Sequence, residues 1–69
     1  MKPNVVIIKN NLVDDIRRFE KSDEAEKYFL ERCAWLISNW DEYTQEDKEN
    51  ILEDGYEEFE DGSICLAWS

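Results

Sequence analysis

The first apolar run of the chain covers residues 5–8, which are four consecutive β-branched residues. This composition predicts a β-strand that is buried on both faces. The pair Asn10-Asn11 follows, and asparagine tolerates the positive φ angles of a tight hairpin turn. Residues 12–19 are therefore expected to return as a second strand.

Residues 12–19 carry two competing patterns. As a strand, the segment places Leu12 and Ile16 on one face at even spacing. As a short helix, its apolar residues from Leu12 to Phe19 also recur at helical spacing, with aspartates early and arginines late, as the helix dipole favours. We favour the strand because the run at residues 5–8 needs a partner and the two asparagines supply the turn.

The longest periodic pattern predicts an amphipathic helix over residues 23–39. Ser22 is suited to be its N-cap, and the two acids that follow place negative charge in the first helical turn. Other apolar residues widen the stripe, and among them Trp35 is expected to help fill the small core. The residues that define the stripe recur at intervals of four, four, three and four: Ala25, Phe29, Cys33, Leu36 and Trp40.

A second, shorter helix is predicted over residues 45–54. Thr44 and Asp47 resemble a capping box, and Gly55 is a favourable residue directly after a helix. The only apolar residues of this helix are one adjacent isoleucine–leucine pair. Most of its circumference must therefore face solvent or a partner.

The end of the chain predicts a second hairpin. Two strand-like runs flank Asp61-Gly62, which is a strong signal for a two-residue type I′ turn. This turn pairs Phe59 with Ile64 and Glu57 with Leu66. The side chains expected to face the core are Ile64, Leu66 and Trp68, and those expected to face outward are Glu58, Glu60, Ser63 and Cys65.

The predicted element order is ββααββ. The simplest packing is an α+β fold, in which a four-stranded antiparallel sheet of two hairpins packs against one long helix plus a short acidic helix. The length of 69 residues allows a single domain, residues 1–69, with a small core. The hydrophobic content of 42% is too high for a disordered acidic tail.

The net charge of −10 is concentrated in one segment. Residues 1–40 hold seven acids and seven bases, whereas residues 41–61 hold eleven acids and one base, Lys48. Like charges at this density repel one another and reduce stability, so we expect a reason other than folding for them. The acidity also argues against direct binding of nucleic acid, whose phosphates need a basic face.

Most kinds of catalytic and metal site are not expected. The chain has no histidine and only two glycines, which removes the usual general base, the commonest metal ligand and any Gly-rich phosphate loop. The calcium-loop pattern is missing as well. Cys33 and Cys65 lack CxxC spacing and are expected to be small buried residues. We therefore expect no enzyme, no metal and no cofactor.

The sequence has no segment with the properties of a membrane span or a secretory signal. A single pair of cysteines is also too few for the disulfide framework of a secreted domain. We therefore expect a cytoplasmic protein without membrane contact, either a monomer or a homodimer.

The acidic segment is the candidate binding surface. Its helix carries a row of charge whose linear density is comparable to that of duplex DNA. Such a surface is expected to occupy the basic groove of a nuclease or another nucleic-acid-binding protein. Trp40 and Tyr43 border the segment and are candidate aromatic anchors. The acidic candidates are Asp41, Glu42, Glu46, Asp47, Glu49, Glu53, Asp54, Glu57, Glu58 and Glu60.

In size, acidity and α+β plan, the chain resembles the nucleic-acid-mimicking inhibitors encoded by phages and mobile elements. Anti-CRISPR proteins and inhibitors of restriction or repair nucleases belong to this class. The chain is also similar to acidic immunity proteins that neutralise basic nuclease toxins. The resemblance covers the overall composition and residues 41–61, rests on no sequence motif, and implies an inhibitor of a nucleic-acid-binding enzyme.

A different class of function is the alternative. In a non-inhibitory interaction or oligomerisation module, Trp40, Tyr43, Tyr56 or Trp68 would carry the contact. Such a module predicts salt-tolerant association, whereas the inhibitor predicts binding that weakens steeply as salt rises.

Overall fold

Four antiparallel strands form one sheet in the computed structural model, which describes residues 2–68. In chain order the strands are β1 (Pro3–Lys9), β2 (Leu12–Arg18), β3 (Tyr56–Phe59) and β4 (Gly62–Trp68). Their spatial order is β2-β1-β4-β3. The connection between the two hairpins contains α1 (Ser22–Leu36), a 3₁₀ helix (Trp40–Glu42) and α2 (Gln45–Asp54). The predicted α+β fold with ββααββ order is confirmed.

The first hairpin closes through the asparagine pair, as predicted. Asn10 and Asn11 have φ angles of 52° and 66°, in the left-handed region that a two-residue turn between twisted strands requires. The returning segment Leu12–Arg18 is a strand. The alternative of a short helix there is therefore wrong.

A β-bulge interrupts the pairing of β1 with β2. Ile7 pairs with Asp15, and the next residue, Ile8, pairs with Val13. Asp14 consequently has no partner in the ladder. One extra residue on β2 shifts the alternation of side chains between the two faces of the sheet.

The bulge also separates two residues that were predicted to share a face. The register places Ile16 opposite Val6 and Leu12 opposite Lys9. These two partners are three residues apart on β1, and an odd spacing puts them on opposite faces. The prediction that Leu12 and Ile16 share a face is therefore wrong.

Only one face of β1 is covered, so the prediction of a strand buried on both faces is also wrong. Val5 and Ile7 have no exposed surface, whereas Val6 and Ile8 are half-buried. The buried residues of both helices join Val5 and Ile7 in a single core cluster. The Cα extents of 32 × 28 × 16 Å describe a slab with one helical layer on one sheet.

One stripe of α1 is buried against the sheet, as predicted. Ala25, Phe29 and Cys33 are fully buried, and Leu36 packs partly buried at the end of the helix. The helix ends three residues earlier than predicted because Ile37 adopts an extended backbone conformation. The Ile37 side chain itself belongs to the core.

Two other predictions for α1 are wrong. Ser22 is the first helical residue, while Lys21 occupies the N-cap position without a side-chain hydrogen bond. Trp35 is 81% exposed and lies outside the core. Its position follows from helix geometry, because two residues after the buried Cys33 correspond to a rotation of about 200°.

The ends of α2 form as predicted. The Thr44 hydroxyl accepts a hydrogen bond from the Asp47 N–H at 3.1 Å, and the Asp47 carboxylate accepts one from the Thr44 N–H at 3.0 Å. Gly55 ends the helix with a φ of 67°, and its N–H donates to the carbonyl of Ile51 at 2.8 Å. The buried Ile51 side chain fixes the rotation of α2, so the orientation of its acids is defined.

The second hairpin forms, but its register differs from the prediction. Phe59 pairs with Gly62 rather than with Ile64, and the other pairs shift accordingly. The turn residues are therefore Glu60 and Asp61. Neither has a positive φ angle, so the predicted type I′ turn at Asp61-Gly62 is wrong.

Close approach of β1 to β4 explains the register. A Cβ atom at Gly62 would overlap the carbonyl oxygen of Ile8. The glycine is therefore required inside the ladder rather than in the turn. As a result, Glu57 pairs with Ile64 and not with Leu66.

The predicted orientation of β4 is confirmed at two of its three positions. Ile64 and Leu66 are buried, whereas Trp68 remains 50% exposed at the end of the strand. Cys33 is buried as predicted, Cys65 is half-buried on the other face, and both thiols are free. The core consists of Val5, Ile7, Ala25, Phe29, Cys33, Ile37, Ile51, Ile64 and Leu66.

Candidate functional site

The acids of α2 fall into two groups according to their position around the helix. Ile51 marks the buried side. At about 100° per residue, three glutamates lie roughly 160–220° away from it. We call this group the outer row, and its members, all exposed, are Glu46, Glu49 and Glu53.

No hydrogen bond or ion pair neutralises the outer row within residues 2–68. Its members are three and four residues apart, so they are neighbours on one helix face. Like charges at this spacing destabilise a helix by about 0.2–0.5 kcal/mol for each pair. A cation bound along the row would relieve this repulsion.

The second group surrounds a shallow depression of about 260 Å³ between α2 and β3. Asp47 and Asp54 line it from α2, and Glu57 lines it from β3. One amide, two phenols and one apolar side chain complete the wall. We call this site the acidic depression, and its lining residues are Tyr43, Asp47, Asn50, Ile51, Asp54, Tyr56 and Glu57.

Tyr43 fixes one wall of the acidic depression. Its hydroxyl donates a hydrogen bond to Oε2 of Glu57 at 3.2 Å, and its ring stacks on Trp40 with centroids 4.9 Å apart. Burial, followed by the charge and hydrogen bond of Glu57, raises the pKa of Tyr43 above its usual value. The phenol therefore remains a hydrogen-bond donor at neutral pH.

The two candidate aromatic anchors, Trp40 and Tyr43, lie beside the acids, as predicted, but most of their contacts are made inside the protein. Trp40 and Tyr43 are half-buried and pack against the core. Nζ of Lys48 lies 5.2 Å from the centroid of the Trp40 ring, which is a cation–π contact. The aromatic pair therefore packs beneath the acidic surface and helps to hold it in place.

Four predicted site residues lie apart from both groups. Asp41 and Glu42 are exposed in the 3₁₀ helix that precedes α2. Glu58 occupies the opposite face of the sheet, where the Tyr56 hydroxyl donates to its Oε1 at 3.0 Å. Glu60 lies in the hairpin turn. The predicted acidic residues therefore do not form one continuous face.

Two kinds of site are not found in the described part of the chain. No group of three or more potential ligands is close enough to hold a metal ion. No helix within residues 2–68 combines the length and apolarity needed to cross a membrane.

Sequence reasoning did not assign three residues to the positions that they occupy in the structure. Asn50 shares a helix stripe with Asp47 and Asp54, at spacings of three and four residues, so this signal was present in the sequence. Tyr56 joins the lining because β3 runs beside α2. Trp35 lines a second depression of about 280 Å³, and its exposure follows from its position on the side of α1 opposite Cys33.

The fold and the surface define an α+β domain with an antiparallel sheet that is open on one face and an acidic helix beside one edge strand. Comparisons with protein-family models, with curated proteins and with solved structures give no match for the chain. The geometry of the acidic surface is therefore the basis for the functional proposal.

Proposed function

We propose that the protein binds a basic protein partner through the outer row and the acidic depression. By occupying a groove that normally holds nucleic acid, it would inhibit a nuclease or another nucleic-acid-binding enzyme. The observation that supports this most strongly is the outer row itself. Its three exposed glutamates share one helix face and have no cationic partner within residues 2–68.

The spacing of the charges supports mimicry of one nucleic-acid strand. From Glu46 to Asp54, five acids fall within about 12 Å of helix axis, at 1.5 Å per residue. Their mean spacing of about 3 Å is close to the roughly 3.4 Å between phosphates along one strand of DNA. The outer row alone has one charge per roughly 5 Å, so the mimicry requires the acidic depression as well.

The acidic depression suits the end of a lysine or arginine side chain. Its carboxylates come from two elements and are not arranged around a single metal ion. A planar guanidinium has five N–H donors and can satisfy several separated acceptors at once. The basic groove of a nucleic-acid-binding protein presents such side chains in rows.

The test begins with capture of the partner from a lysate of cells that carry the gene, followed by calorimetric titration of the purified pair. The variant Glu46→Gln/Glu49→Gln/Glu53→Gln removes the three charges of the outer row and changes the net charge from −10 to −7. Exposed ion pairs contribute up to about 1 kcal/mol each. We therefore expect affinity to fall by roughly 5- to 150-fold, which corresponds to about 1–3 kcal/mol.

A matched control separates the acidic surface from net charge. The variant Asp14→Asn/Glu24→Gln/Glu31→Gln also removes three exposed acids, all outside residues 41–61. If this control weakens binding as much as the outer-row variant does, the effect comes from overall acidity and the proposed surface is wrong. Circular dichroism of both variants checks that the fold is retained.

A second candidate function is an interaction module that uses surface aromatics. Its supporting observation is that Tyr56 and Trp68 are 46% and 50% exposed. Trp40 and Tyr43 are less suited to this role because they are half-buried and stacked on each other. The module predicts salt-tolerant association that Tyr56→Ala/Trp68→Ala removes, as measured by sedimentation velocity.

A further inference from the structure

The face of the sheet that the helices leave open carries apolar residues at most of its paired positions. An antiparallel sheet with one face in water normally alternates apolar residues inside with polar residues outside. Here the strand β1 instead places Val6 and Ile8 outward. Val6 lies between Ile16 on β2 and Cys65 on β4, and Ile8 lies between Val13 and Ser63. The apolar residues at outward positions are Val6, Ile8, Val13, Ile16, Tyr56, Cys65 and Ala67.

The β-bulge at Asp14 adds one of these apolar residues to the open face. Val13 and Ile16 are three residues apart, so a regular strand would direct them to opposite faces. With the bulge, Val13 pairs with Ile8 and Ile16 pairs with Val6, and both face outward. They are 58% and 61% exposed. β-bulges commonly redirect a side chain to the other face of a sheet in this way.

The open face also differs from the rest of the molecule in charge. Among its residues that are paired in the ladder, one is a base, Arg18, and one is an acid, Glu58. The charges of these two residues sum to zero, whereas the whole chain carries −10. Two copies of a strongly acidic protein repel each other, so this neutral face is where a second copy meets the least repulsion.

The size of the open face lies at the lower limit for an interface between two sheets. Three strands of seven residues and one of four cover about 400 Å² at the usual strand spacing and rise. Two such faces give roughly 800 Å² as flat areas, and the side chains add to the accessible surface of each face. Specific interfaces begin near 1,000 Å², so the contact is expected to be small and weak.

We propose that a second copy of this chain packs on the open face, and that the protein forms a two-fold symmetric dimer through sheet-on-sheet contact. The product is a four-layer sandwich with the two sheets inside, about 10 Å apart. Both helical layers remain on the outside. The outer row of each copy stays accessible, so the dimer presents two acidic helices. Tyr56 lies at the border of the contact, because it also lines the acidic depression.

Salt distinguishes this contact from the binding of a basic partner. The dimer brings two chains of charge −10 together through apolar contacts, so screening of their repulsion strengthens it. Attraction between the acidic surface and a basic partner weakens with salt. The two effects have opposite signs, so failure of the dimer and failure of the proposed partner binding are separate results.

The experiment is sedimentation equilibrium of the full chain over about 5–500 μM, at about 50 mM and 500 mM NaCl. We expect a monomer–dimer equilibrium with a dissociation constant of about 10–100 μM, because the interface is small, and at least a threefold tighter dimer at the higher salt. The variant Ile16→Lys places a charge in the contact and should weaken the dimer at least tenfold.

The matched control lies on the same strand. Leu12 is 72% exposed and sits opposite Lys9, on the other face of the sheet because of the bulge. Leu12→Lys should therefore leave the dimer unchanged within twofold. A chain that remains monomeric at the highest concentration in both salts overturns the proposal. So does a dimer that resists Ile16→Lys or that Leu12→Lys weakens equally.

Discussion

Replacement of Gly62 by alanine tests the argument that the register of the second hairpin is set by contact between strands. A Cβ atom at this position would overlap the carbonyl oxygen of Ile8 and lie 2.8 Å from its carbonyl carbon and 3.1 Å from Cα of Lys9. Carbon atoms pack at about 3.5–4.0 Å. Relief of the overlap therefore requires β1 and β4 to separate by roughly 1 Å at this end.

The cost of Gly62→Ala follows from what this separation disrupts. Overpacking costs about 1–3 kcal/mol, and each backbone hydrogen bond that is lost costs about 0.5–1.5 kcal/mol. With one or two such bonds lost, the total loss of unfolding free energy is about 1.5–6 kcal/mol. A domain of this length has roughly 3–10 kcal/mol in all. The variant is therefore expected to lose a large part of its stability, and to unfold at room temperature if the parent protein lies at the lower end of this range.

Urea denaturation followed by tryptophan fluorescence and circular dichroism measures the effect. A glycine at this position could be required either by a turn with a positive φ or by a strand contact that leaves no room for a Cβ atom. Gly62→Asn distinguishes these two explanations, because asparagine tolerates a positive φ in a turn but still has a Cβ atom. Both substitutions should destabilise strongly, while Asp61→Ala in the exposed turn should change stability by less than about 0.5 kcal/mol. A Gly62→Asn variant as stable as the parent protein would refute the reasoning.

Three further predictions concern the second helix, the thiols and the response to alkaline pH. Thr44→Ala removes the cap of α2 and should cost about 0.5–2 kcal/mol in urea denaturation; it should also weaken partner binding without changing the charge. In native protein at pH 8, at concentrations well below the dissociation constant of the proposed dimer, Cys65 should react with a thiol reagent and Cys33 should not, because burial raises the pKa of the Cys33 thiol to about 12. Both thiols should react in urea, and equal rates in the native protein would contradict the burial of Cys33. Burial, with smaller contributions from nearby carboxylates, raises the pKa values of Tyr28 and Tyr43. The unfolded chain therefore loses these phenol protons first, so stability should hold below about pH 10 and fall as the pH rises through the folded-state pKa values. A urea midpoint that is unchanged or higher at pH 11 would contradict this.

Elements that are specified by local chemistry could be predicted from the sequence. The asparagine pair defines its turn because both residues accept positive φ angles. Thr44 and Asp47 define the start of α2 because their hydrogen bonds join residues only three apart. The buried stripe of α1 follows from helical spacing alone.

Features that depend on distant parts of the chain could not be predicted. The position of Gly62 reflects the approach of β1, a strand more than fifty residues earlier. The bulge at Asp14 leaves no signal in the alternation of β2, and without it the outward position of Val13 does not follow. Each of these is a property of the assembled layers.

The candidate site shows the same division. The concentration of acids in residues 41–61 is visible in the sequence, and the helical positions of Glu46, Glu49 and Glu53 follow from their spacing. The acidic depression could not be predicted because it forms where Glu57 on β3 lies beside Asp54 and its neighbours on α2. It requires the edge position of β3, which is a property of the whole sheet.

Competition with nucleic acid tests the central claim most directly. The captured partner is saturated with a fluorescent oligonucleotide, and this protein is titrated in while anisotropy is recorded at about 50 mM and 200 mM NaCl. We predict full displacement of the oligonucleotide by the parent protein at low salt, with the Glu46→Gln/Glu49→Gln/Glu53→Gln variant requiring at least fivefold more protein. A ternary complex that retains the oligonucleotide, or equal displacement by the parent protein and this variant, would contradict the claim.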